Sequence, residues 1–357
     1  MPFIVTPLAV PAPGAAPDAD VLDLVEVERA HHRALLGHED LVTTASAVST
    51  GLTRQESMRR VRLLARDDQG RAVGAGHVAV PLRDNHHQGV VLLHHDPTSG
   101  TVEAEVYDAL WQAADEVLRR EGRSVVQSFA THPAPADPAA ATWLVPTTGE
   151  GQVAQDDQAR WLAARGFDLV QVELYVVLDL TGATQDRARA AADGTRAAYR
   201  TRTWSGSTPP ELRAGMARLR NRMSTDAPSG GIDYGEESWD EDYVASYDER
   251  QAALGGLRVT TVALDDAGAP VAYTELRHEP DIPASAIQQD TLVHAGHRGH
   301  GLGLWIKAVN LLALLEQAPT VQRVHTWTAA ENTHMLAINI ALGFREAGTQ
   351  GAWQLRR

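Results

Sequence analysis

One short pattern, Asp-Asp-x-Gly between two β-rich stretches, occurs twice in the chain and limits the folds that the chain can adopt. It stands at residues 67–70 and again at residues 265–268. A turn of this composition between β-rich runs predicts a hairpin. Each hairpin is followed by a third β-rich run, a helix-forming run, a further β-rich run and a segment that ends in Gly-Phe, at residues 166–167 and 343–344. The sequence therefore predicts one structural plan used twice.

The predicted elements of the two halves correspond in order. The first half has predicted strands at 60–65, 71–80, 90–94 and 124–131 and a predicted helix at 102–120. The second half has predicted strands at 257–264, 271–278, 287–294 and 321–328 and a predicted helix at 302–316. The first half is longer, and its surplus falls in a Pro/Ala/Gly-rich stretch, residues 132–155, which we predict to be a surface insertion.

These elements place the chain in the α/β (α+β) class with two tandem domains. Each domain is expected to have a mixed, mostly antiparallel central sheet flanked by helices. At 357 residues the chain is long enough for two separate cores. We predict a first domain at 1–182, a linker at 183–198, which is rich in Ala, Arg and Thr, and a second domain at 199–357.

A glycine-rich run between a predicted strand and a predicted helix carries the clearest functional signal. Gly299, Gly301 and Gly303 leave the backbone accessible, and the amides that open the following helix lie at the positive end of its dipole. Arg298 adds a positive side chain. The spacing fits neither the dinucleotide fingerprint nor a P-loop, since the only lysine, Lys307, follows an isoleucine. The run predicts main-chain binding of a pyrophosphate-bearing cofactor.

Two motifs together resemble the GNAT superfamily of acyl-CoA-dependent N-acyltransferases. Residues 298–303, Arg-Gly-His-Gly-Leu-Gly, match its Arg/Gln-x-x-Gly-x-Gly/Ala signature, and residues 332–335, Asn339 and Gly343-Phe344 resemble its last conserved stretch. The tandem plan resembles that of actinobacterial proteins of the mycothiol-synthase type. The resemblance implies acetyl-CoA as cosubstrate, with these cofactor-binding residues: Leu292, Val293, Arg298, Gly299, His300, Gly301, Leu302, Gly303, Asn332 and Asn339. Asn332 could equally cap the helix that begins at Thr333.

Three residues are candidates for the chemistry of acyl transfer. Glu275 and Asp290 interrupt apolar strands, where a carboxylate is costly unless it is paired or faces a cleft, so either could be the general base. Asn339 stands where many members of the family have a tyrosine that protonates the departing thiolate. Asparagine can bond the sulfur but cannot give up a proton. Substitutes left open for that role are Tyr273, Tyr243, Tyr247 and a water molecule.

The resemblance also implies that a backbone N–H near Leu292 and Val293, where the strand separates from its neighbour, polarises the thioester carbonyl. Such a donor contributes about 3 kcal/mol. In the following helix, an apolar stripe is predicted to face the core: Leu302, Trp305, Ile306, Val309 and Leu312. Lys307 and Asn310 lie off this stripe and are predicted to be solvated.

The first half lacks the cofactor motif of the second. Its corresponding loop, residues 96–101, keeps one glycine and has no arginine, and Asp96, Glu103 and Glu105 would repel a pyrophosphate. We interpret the first half as a degenerate domain that scaffolds or walls the substrate cleft. In the second half, the resemblance implies that residues 210–254 cover the acceptor, and the acidic run at 236–242 is interpreted mainly as a helix N-terminus.

The composition of the chain limits the kinds of molecule that it is expected to bind. The net charge of −14 argues against nucleic acid and anionic membranes, and the absence of cysteine excludes disulfides and thiolate sites. Histidine recurs at 294, 297 and 300, but no carboxylate cluster completes a coordination shell, so no metal is expected. We expect a cytoplasmic protein, because the N-terminal residues do not resemble a signal peptide and no long apolar run is present. We expect it to be a monomer or a homodimer.

The functional prediction is an acetyl-CoA-dependent N-acetyltransferase that acts on a small-molecule amine by direct attack in a ternary complex. One alternative is a non-catalytic acyl-CoA-binding protein that acts as a sensor, which the asparagine at position 339 favours. A second alternative is a scaffold whose glycine loop binds nothing. The identity of the amine is left open by the sequence.

Overall fold

The computed structural model describes residues 3–194 and 198–357. Within it the chain forms two units. Unit 1 comprises Met1–Glu173, Ser229–Tyr234 and Gly348–Arg357, and unit 2 comprises Leu174–Pro228 and Gly235–Ala347. Each unit therefore includes chain from more than one part of the sequence.

These boundaries differ from the predicted ones. The first crossing, between Glu173 and Leu174, falls inside one continuous strand, Asp168–Asp179, and not at residue 182. Most of the predicted linker is the helix Gly182–Ala192, which belongs to unit 2, and residues 195–197 of that linker lie outside the described residues. Strand pairing and helix packing place the boundary, and neither is visible in composition.

The helices and strands of the first part of the chain follow the predicted order. The strands are β1 Ile4–Pro7, β2 Met58–Arg66, β3 Ala72–Pro81, β4 Gln88–His95, β5 Val125–Pro133, β6 Trp143–Leu144, β7 Val153–Ala154 and β8 Asp168–Asp179. The helices are α1 Ala19–Leu36, α2 Ala45–Thr53, α3 Glu103–Arg120, α4 Asp157–Ala164 and α5 Gly182–Ala192. The predicted insertion at 132–155 contains the short β6–β7 pair.

The second part repeats the plan. Its strands are β9 Arg200–Ser205, β10 Leu257–Leu264, β11 Pro270–His278, β12 Ser285–Val293, β13 Arg323–Ala329 and β14 Arg345–Arg356. Its helices are α6 Arg213–Asp226, α7 Glu241–Ala253, α8 Leu302–Gln317 and α9 Thr333–Leu342. Short 3-10 helices at Pro97–Ser99 and Ala295–His297 precede α3 and α8.

Each unit has a mixed, mostly antiparallel sheet between helices, as predicted. In unit 1 the strand order is β1-β2-β3-β4-β5-β14, and only β4 and β5 among these pair in parallel. In unit 2 the order is β8-β13-β12-β11-β10-β9, with β12 and β13 parallel and β9 to β12 antiparallel. No helix in the described part of the chain is both long and apolar enough to cross a membrane.

The two predicted hairpins have the same turn. The amide of Asp67 donates to Arg71 O at 3.0 Å, and the amide of Asp265 donates to Ala269 O at 3.0 Å. In each turn the aspartate side chain accepts a backbone N–H four residues later, at 2.9 Å in the first turn and 2.8 Å in the second. This shared geometry confirms that the two halves use one local design.

Helix α8 is buried well beyond the predicted stripe, and the prediction that Lys307 and Asn310 are solvated is wrong. Lys307 is 2% exposed and Asn310 is fully buried. The reason is that α8 lies on β10 and β11 and is also contacted by α5 and α9. Asn310 is satisfied there, since it accepts from Thr261 Oγ1 at 2.9 Å and donates to Val259 O at 3.1 Å.

A cluster of histidines lies in unit 1 between α1 and the sheet. The ring centroids of His31, His32 and His94 lie 4.9 to 5.6 Å apart, and His94 Nδ1 lies 3.9 Å from Glu28 Oε1. Burial, and then repulsion between the histidines, lowers the pKa of His31 and of His32 to about 3. Folding therefore favours the neutral imidazoles.

This cluster predicts a pH dependence of stability. The unfolded chain takes up protons as the pH falls below 6.5, the ordinary pKa of histidine, whereas folded His31 and His32 stay neutral down to about pH 3. Their contribution is complete above pH 6.5 and is lost as the pH falls toward 3. His32→Phe is expected to flatten the slope of unfolding free energy against pH by about 1 kcal/mol per pH unit in this window. Denaturant unfolding at several pH values measures the slope. His334→Phe, at an exposed position of α9, is the control and should leave it unchanged.

Candidate active site

The parallel strands β12 and β13 separate part-way along their length. They pair at Ser285↔Arg323, Ala286↔Val324 and Ile287↔His325, and β12 then continues to Val293 without further pairing to β13. On its other edge β12 has a bulge, because Thr274 pairs with Thr291 whereas Leu276 pairs with Gln288. Two residues of β12, Gln289 and Asp290, therefore oppose one residue of β11. Bulges of this kind redirect side chains and end pairing.

The separation leaves backbone amides of β12 facing the opening, and that of Val293 is one of them. The amide of His294 donates to Val271 O on β11 at 2.9 Å. Because successive amides of a strand alternate between its two edges, the amide of Leu292 also faces β11, and the amide of Val293 faces the edge from which β13 has separated. The resemblance places the backbone N–H that polarises the thioester carbonyl near Leu292 and Val293, without distinguishing them. The geometry favours Val293 as the donor.

The glycine loop follows directly. Gly299 has φ +83° and Gly301, the N-cap of α8, has φ +69°, conformations that a residue with a side chain adopts only with strain. No side chain caps α8. The first helical bond is from the amide of Trp305 to Gly301 O, and the amides of residues 299–304 find no acceptor among the described residues. This exposed loop is therefore a set of unsatisfied donors at a helix N-terminus, which favours an anion.

Gly303 and Arg298 have different roles in this loop. A Cβ on Gly303 would lie 2.9 Å from Ile338 Cδ1 on α9, so this glycine permits close packing of two helices. The Arg298 side chain is half exposed, with Nε donating to Val293 O at 3.2 Å and Nη2 donating to Asp226 at 3.0 Å. Arg298 is thus held beside the end of β12, where its charge adds to that of the helix N-terminus.

The two carboxylates predicted to line the site are brought together but differ in environment. Glu275 is 4% exposed and accepts from Arg220 Nη2 at 3.0 Å, with Arg258 Nη1 at 3.7 Å. The side chain of Asp290 is 43% exposed and accepts from the hydroxyl of Tyr273 at 3.1 Å, with Arg220 Nη1 at 3.7 Å. The charge of Glu275 is therefore balanced by arginine in the interior, whereas the carboxylate of Asp290 is accessible from solvent.

Arg220 is the centre of this cluster. Its guanidinium lies 4.6 Å from the ring centroid of Tyr247, 5.0 Å from that of Trp239 and 5.4 Å from that of Tyr273. Burial opposes the charge, but attraction to Glu275, and less to the tyrosines and Asp290, raises the pKa of Arg220. Burial, and then Glu275, raises the pKa of Tyr247 to about 12. The arginine is thus a fixed positive charge under the site.

The two asparagines of the predicted site are both engaged. Asn332 is the N-cap of α9, and its Oδ1 accepts from the amide of Met335 at 3.1 Å. Asn339 is buried, accepts from Lys307 Nζ at 2.8 Å and donates to Thr328 Oγ1 at 3.0 Å. The capping interpretation of Asn332 is confirmed. Contact of either side chain with a cofactor stays a prediction.

Comparisons with solved structures identify the fold of the chain. A tandem GNAT protein from the clavulanic acid biosynthesis pathway, solved without acetyl-CoA, has a TM-score of 0.77 and 24% identity and covers 99% of this chain and 98% of its own. This chain has the tandem GNAT fold. A GCN5-related N-acetyltransferase from Sphaerobacter thermophilus has a TM-score of 0.59 and 14% identity, covering 99% and 95%. A glucosamine N-acetyltransferase region of a fungal multi-domain GH3 β-N-acetylglucosaminidase has a TM-score of 0.57 and 18% identity, covering 99% and 38%. No family model and no curated protein matches the chain.

The glycine loop of the second GNAT unit has no counterpart in the first. In unit 1 the N-cap of α3 is Val102, with φ −83°, and the first turn carries Glu103 and Glu105. The loop before it is filled by its own side chains, since Ser99 Oγ bonds Thr101 Oγ1 at 2.7 Å and His95 bonds Thr101 at 3.0 Å. The helix start that could hold an anion in unit 2 is acidic in unit 1.

Each GNAT unit has a buried ion pair between a helix and the sheet, and the pair has opposite polarity in the two units. In unit 2 the helix supplies Arg220 and β11 supplies Glu275. In unit 1 helix α1 supplies Glu28, which accepts from Arg62 of β2 at 3.4 Å, and burial raises the pKa of Glu28. The sheet therefore supplies the negatively charged partner, Glu275, in unit 2 and the positively charged partner, Arg62, in unit 1.

Sequence reasoning missed the arginines and the lysine of this site. Arg220 lies four residues after Met216 on the apolar face of α6, and Arg258 lies within the apolar run of β10. A charged residue on an apolar stripe signals a buried partner. That signal was present for Arg220 and Arg258. For Lys307 no such signal existed, since it lies off the apolar stripe of α8.

Proposed function

We propose that this protein is an acetyl-CoA-dependent N-acetyltransferase that acts on a small-molecule amine, with its active site in unit 2. The observation that carries the proposal is the row of unsatisfied amides at residues 299–304, next to the point where β12 and β13 separate. Names of the similar structures, which include GCN5-related N-acetyltransferases, support acetyl transfer in general.

The residues present fit an acyl-CoA. The amides of the glycine loop and Arg298 would hold its pyrophosphate. The amide of Val293 would donate to the thioester oxygen, where charge develops during attack. In this arrangement the carbonyl lies between β12 and β13, and the amine approaches from the side of Asp290.

Asp290 is the general base in this proposal. It is the exposed carboxylate of the cluster, and the Tyr273 hydroxyl orients it through the 3.1 Å bond. Glu275 is buried and accepts from Arg220, so an incoming amine cannot reach it as it can reach Asp290. We assign Glu275 to positioning Arg220, and through it Asp290.

Unit 1, with its acidic helix start, is proposed to bind no acyl-CoA.

Substitution of one loop glycine tests cofactor binding. Gly299→Val is expected to lower the affinity for CoA about 10- to 100-fold, because it strains a positive-φ position and displaces at least one amide from a charged phosphate. Isothermal titration calorimetry with CoA measures this.

The matched control is Gly100→Val in unit 1. Gly100 has φ +75° and open space around its Cα, as Gly299 does, so both variants carry a similar strain. The control is expected to bind CoA like the unaltered protein. Undiminished CoA affinity in Gly299→Val, or loss only in Gly100→Val, would contradict the site assignment. Binding without turnover of any amine would instead indicate the sensor alternative.

A further inference from the structure

Lys307 is the only lysine in the chain, and it is buried without a counterion. Its Nζ donates to Asn339 Oδ1 at 2.8 Å and lies 5.4 Å from the centroid of the Phe344 ring. None of the carboxylates in the described ranges lies within ion-pair distance of it. A buried charge without a partner is costly, so such a lysine either loses its proton or is stabilised by an anion brought close to it.

Burial lowers the pKa of Lys307 to about 7. Near neutral pH the ammonium and the free amine are therefore both populated. An anion placed close by would favour the ammonium. The protonation state of Lys307 can therefore change when a negative charge forms or disappears nearby.

A chain of hydrogen bonds leads from this lysine toward the opening in the sheet. Lys307 donates to Asn339, whose Nδ2 donates to Thr328 Oγ1 at 3.0 Å. The Thr328 hydroxyl keeps its own proton for donation, and no acceptor for it occurs among the described residues. Thr328 lies on β13 three residues beyond its last pairing with β12, which is at His325. Donors in series polarise one another, so the charge of Lys307 strengthens the hydroxyl at the far end.

We propose that the Lys307–Asn339–Thr328 chain stabilises the thiolate of CoA as it leaves. This inference rests on the proposed function and adds the leaving-group side of the reaction. The amine nitrogen bonds the carbonyl carbon, the carbon–sulfur bond breaks, and its electron pair stays on sulfur. The proton of the amine goes to Asp290. The thiolate accepts a hydrogen bond from Thr328, and Lys307, a positioning residue, supplies the compensating positive charge until the product takes a proton from solvent.

The tyrosines nearby are less suited to this task. The Tyr273 hydroxyl already donates to Asp290, and burial, with the charge of Asp290, raises its pKa well above the ordinary value. Tyr247, with its pKa raised to about 12, also holds its proton firmly. Charge stabilisation through Asn339 and Thr328 needs no general acid, so an asparagine at position 339 is compatible with turnover.

The uniqueness of Lys307 allows a direct test. Protein grown on lysine labelled with carbon-13 at Cε gives one lysine NMR signal, which is titrated alone, with CoA and with desulfo-CoA. We expect CoA to raise the pKa of Lys307 relative to desulfo-CoA, because the thiol of CoA can ionise to a thiolate during the titration, whereas desulfo-CoA has no sulfur to ionise. Equal pKa values in the two complexes would overturn the inference.

Variants give a second readout. Lys307→Met is expected to lower kcat about 10- to 100-fold with little change in KM for acetyl-CoA, and to raise the pKa of the thiol of bound CoA, measured from thiolate absorbance. Asn310→Ala removes a buried polar group from the same helix outside the chain, and should change neither kcat nor the thiol pKa. Should Lys307→Met fail to fold, the titration above decides alone.

The outcomes separate this inference from the proposed function. If calorimetry shows no CoA binding, the proposed function fails and the inference falls with it. If CoA binds and amines are acetylated, but the pKa of Lys307 does not respond to the sulfur, the proposed function stands and this inference alone is rejected.

Discussion

Asp290→Asn is expected to lower kcat for acetyl transfer about 100- to 10,000-fold, the range for removal of a general base. The substitution keeps the size of the side chain and an oxygen that can accept from Tyr273, but the amide cannot take a proton from the amine. Affinity for CoA should be unchanged, because the glycine loop is untouched. Release of CoA thiol, followed across a panel of amines and from pH 6 to 9, measures the effect.

The neighbouring position provides the control for this prediction. Gln289 shares the bulge of β12 with Asp290 and is exposed. Gln289→Ala should therefore retain turnover within about a factor of three. A kcat for Asp290→Asn within tenfold of the unaltered protein would remove Asp290 as the base, and Glu275→Gln would be the next variant to assay.

Arg220→Met is expected to lower the free energy of unfolding by about 3 to 5 kcal/mol. Methionine fills much of the same volume, but Glu275 is left buried, and the described cation that stays near it, Arg258 at 3.7 Å, is already paired with Asp248. The stacking of the guanidinium on Tyr247 and Trp239 is lost as well. Denaturant unfolding, with transitions compared by fluorescence and circular dichroism, measures the loss.

An exposed ion pair serves as the comparison. Arg345 Nε lies 2.7 Å from Asp179, and both side chains are well exposed. Arg345→Met should therefore lower the free energy of unfolding by less than about 1 kcal/mol. Losses of similar size in the two variants would mean that the buried cluster does not depend on Arg220 as described.

Much of this fold could be predicted from sequence because its signals are local. The Asp-Asp-x-Gly turns fix both hairpins, and the glycine loop marks the junction of β12 and α8. Each of the two acids was recognisable as a candidate to line the site because each interrupts an apolar strand. In each case a few neighbouring residues carry all the information that is needed.

The remainder depends on contacts between distant parts of the chain. Periodicity shows one buried face of α8, but it cannot show that α5 and α9 cover others, which is why Lys307 was assigned to solvent. The difference in accessibility between Glu275 and Asp290 likewise depends on Arg220, which is 55 residues from Glu275 in the sequence. The boundary inside β8 is of the same kind.

The path of the chain has a consequence for dissection of the protein. Because residues 229–234 and 348–357 belong to unit 1, the polypeptide passes between the units four times. No single cut yields either half intact: expression of residues 174–357 alone would carry two orphaned pieces of unit 1, and the complementary fragment would lack a strand of its sheet. Exchange of unit 1 with that of another tandem protein would have to replace three segments together, and exchange of unit 2 would have to replace two.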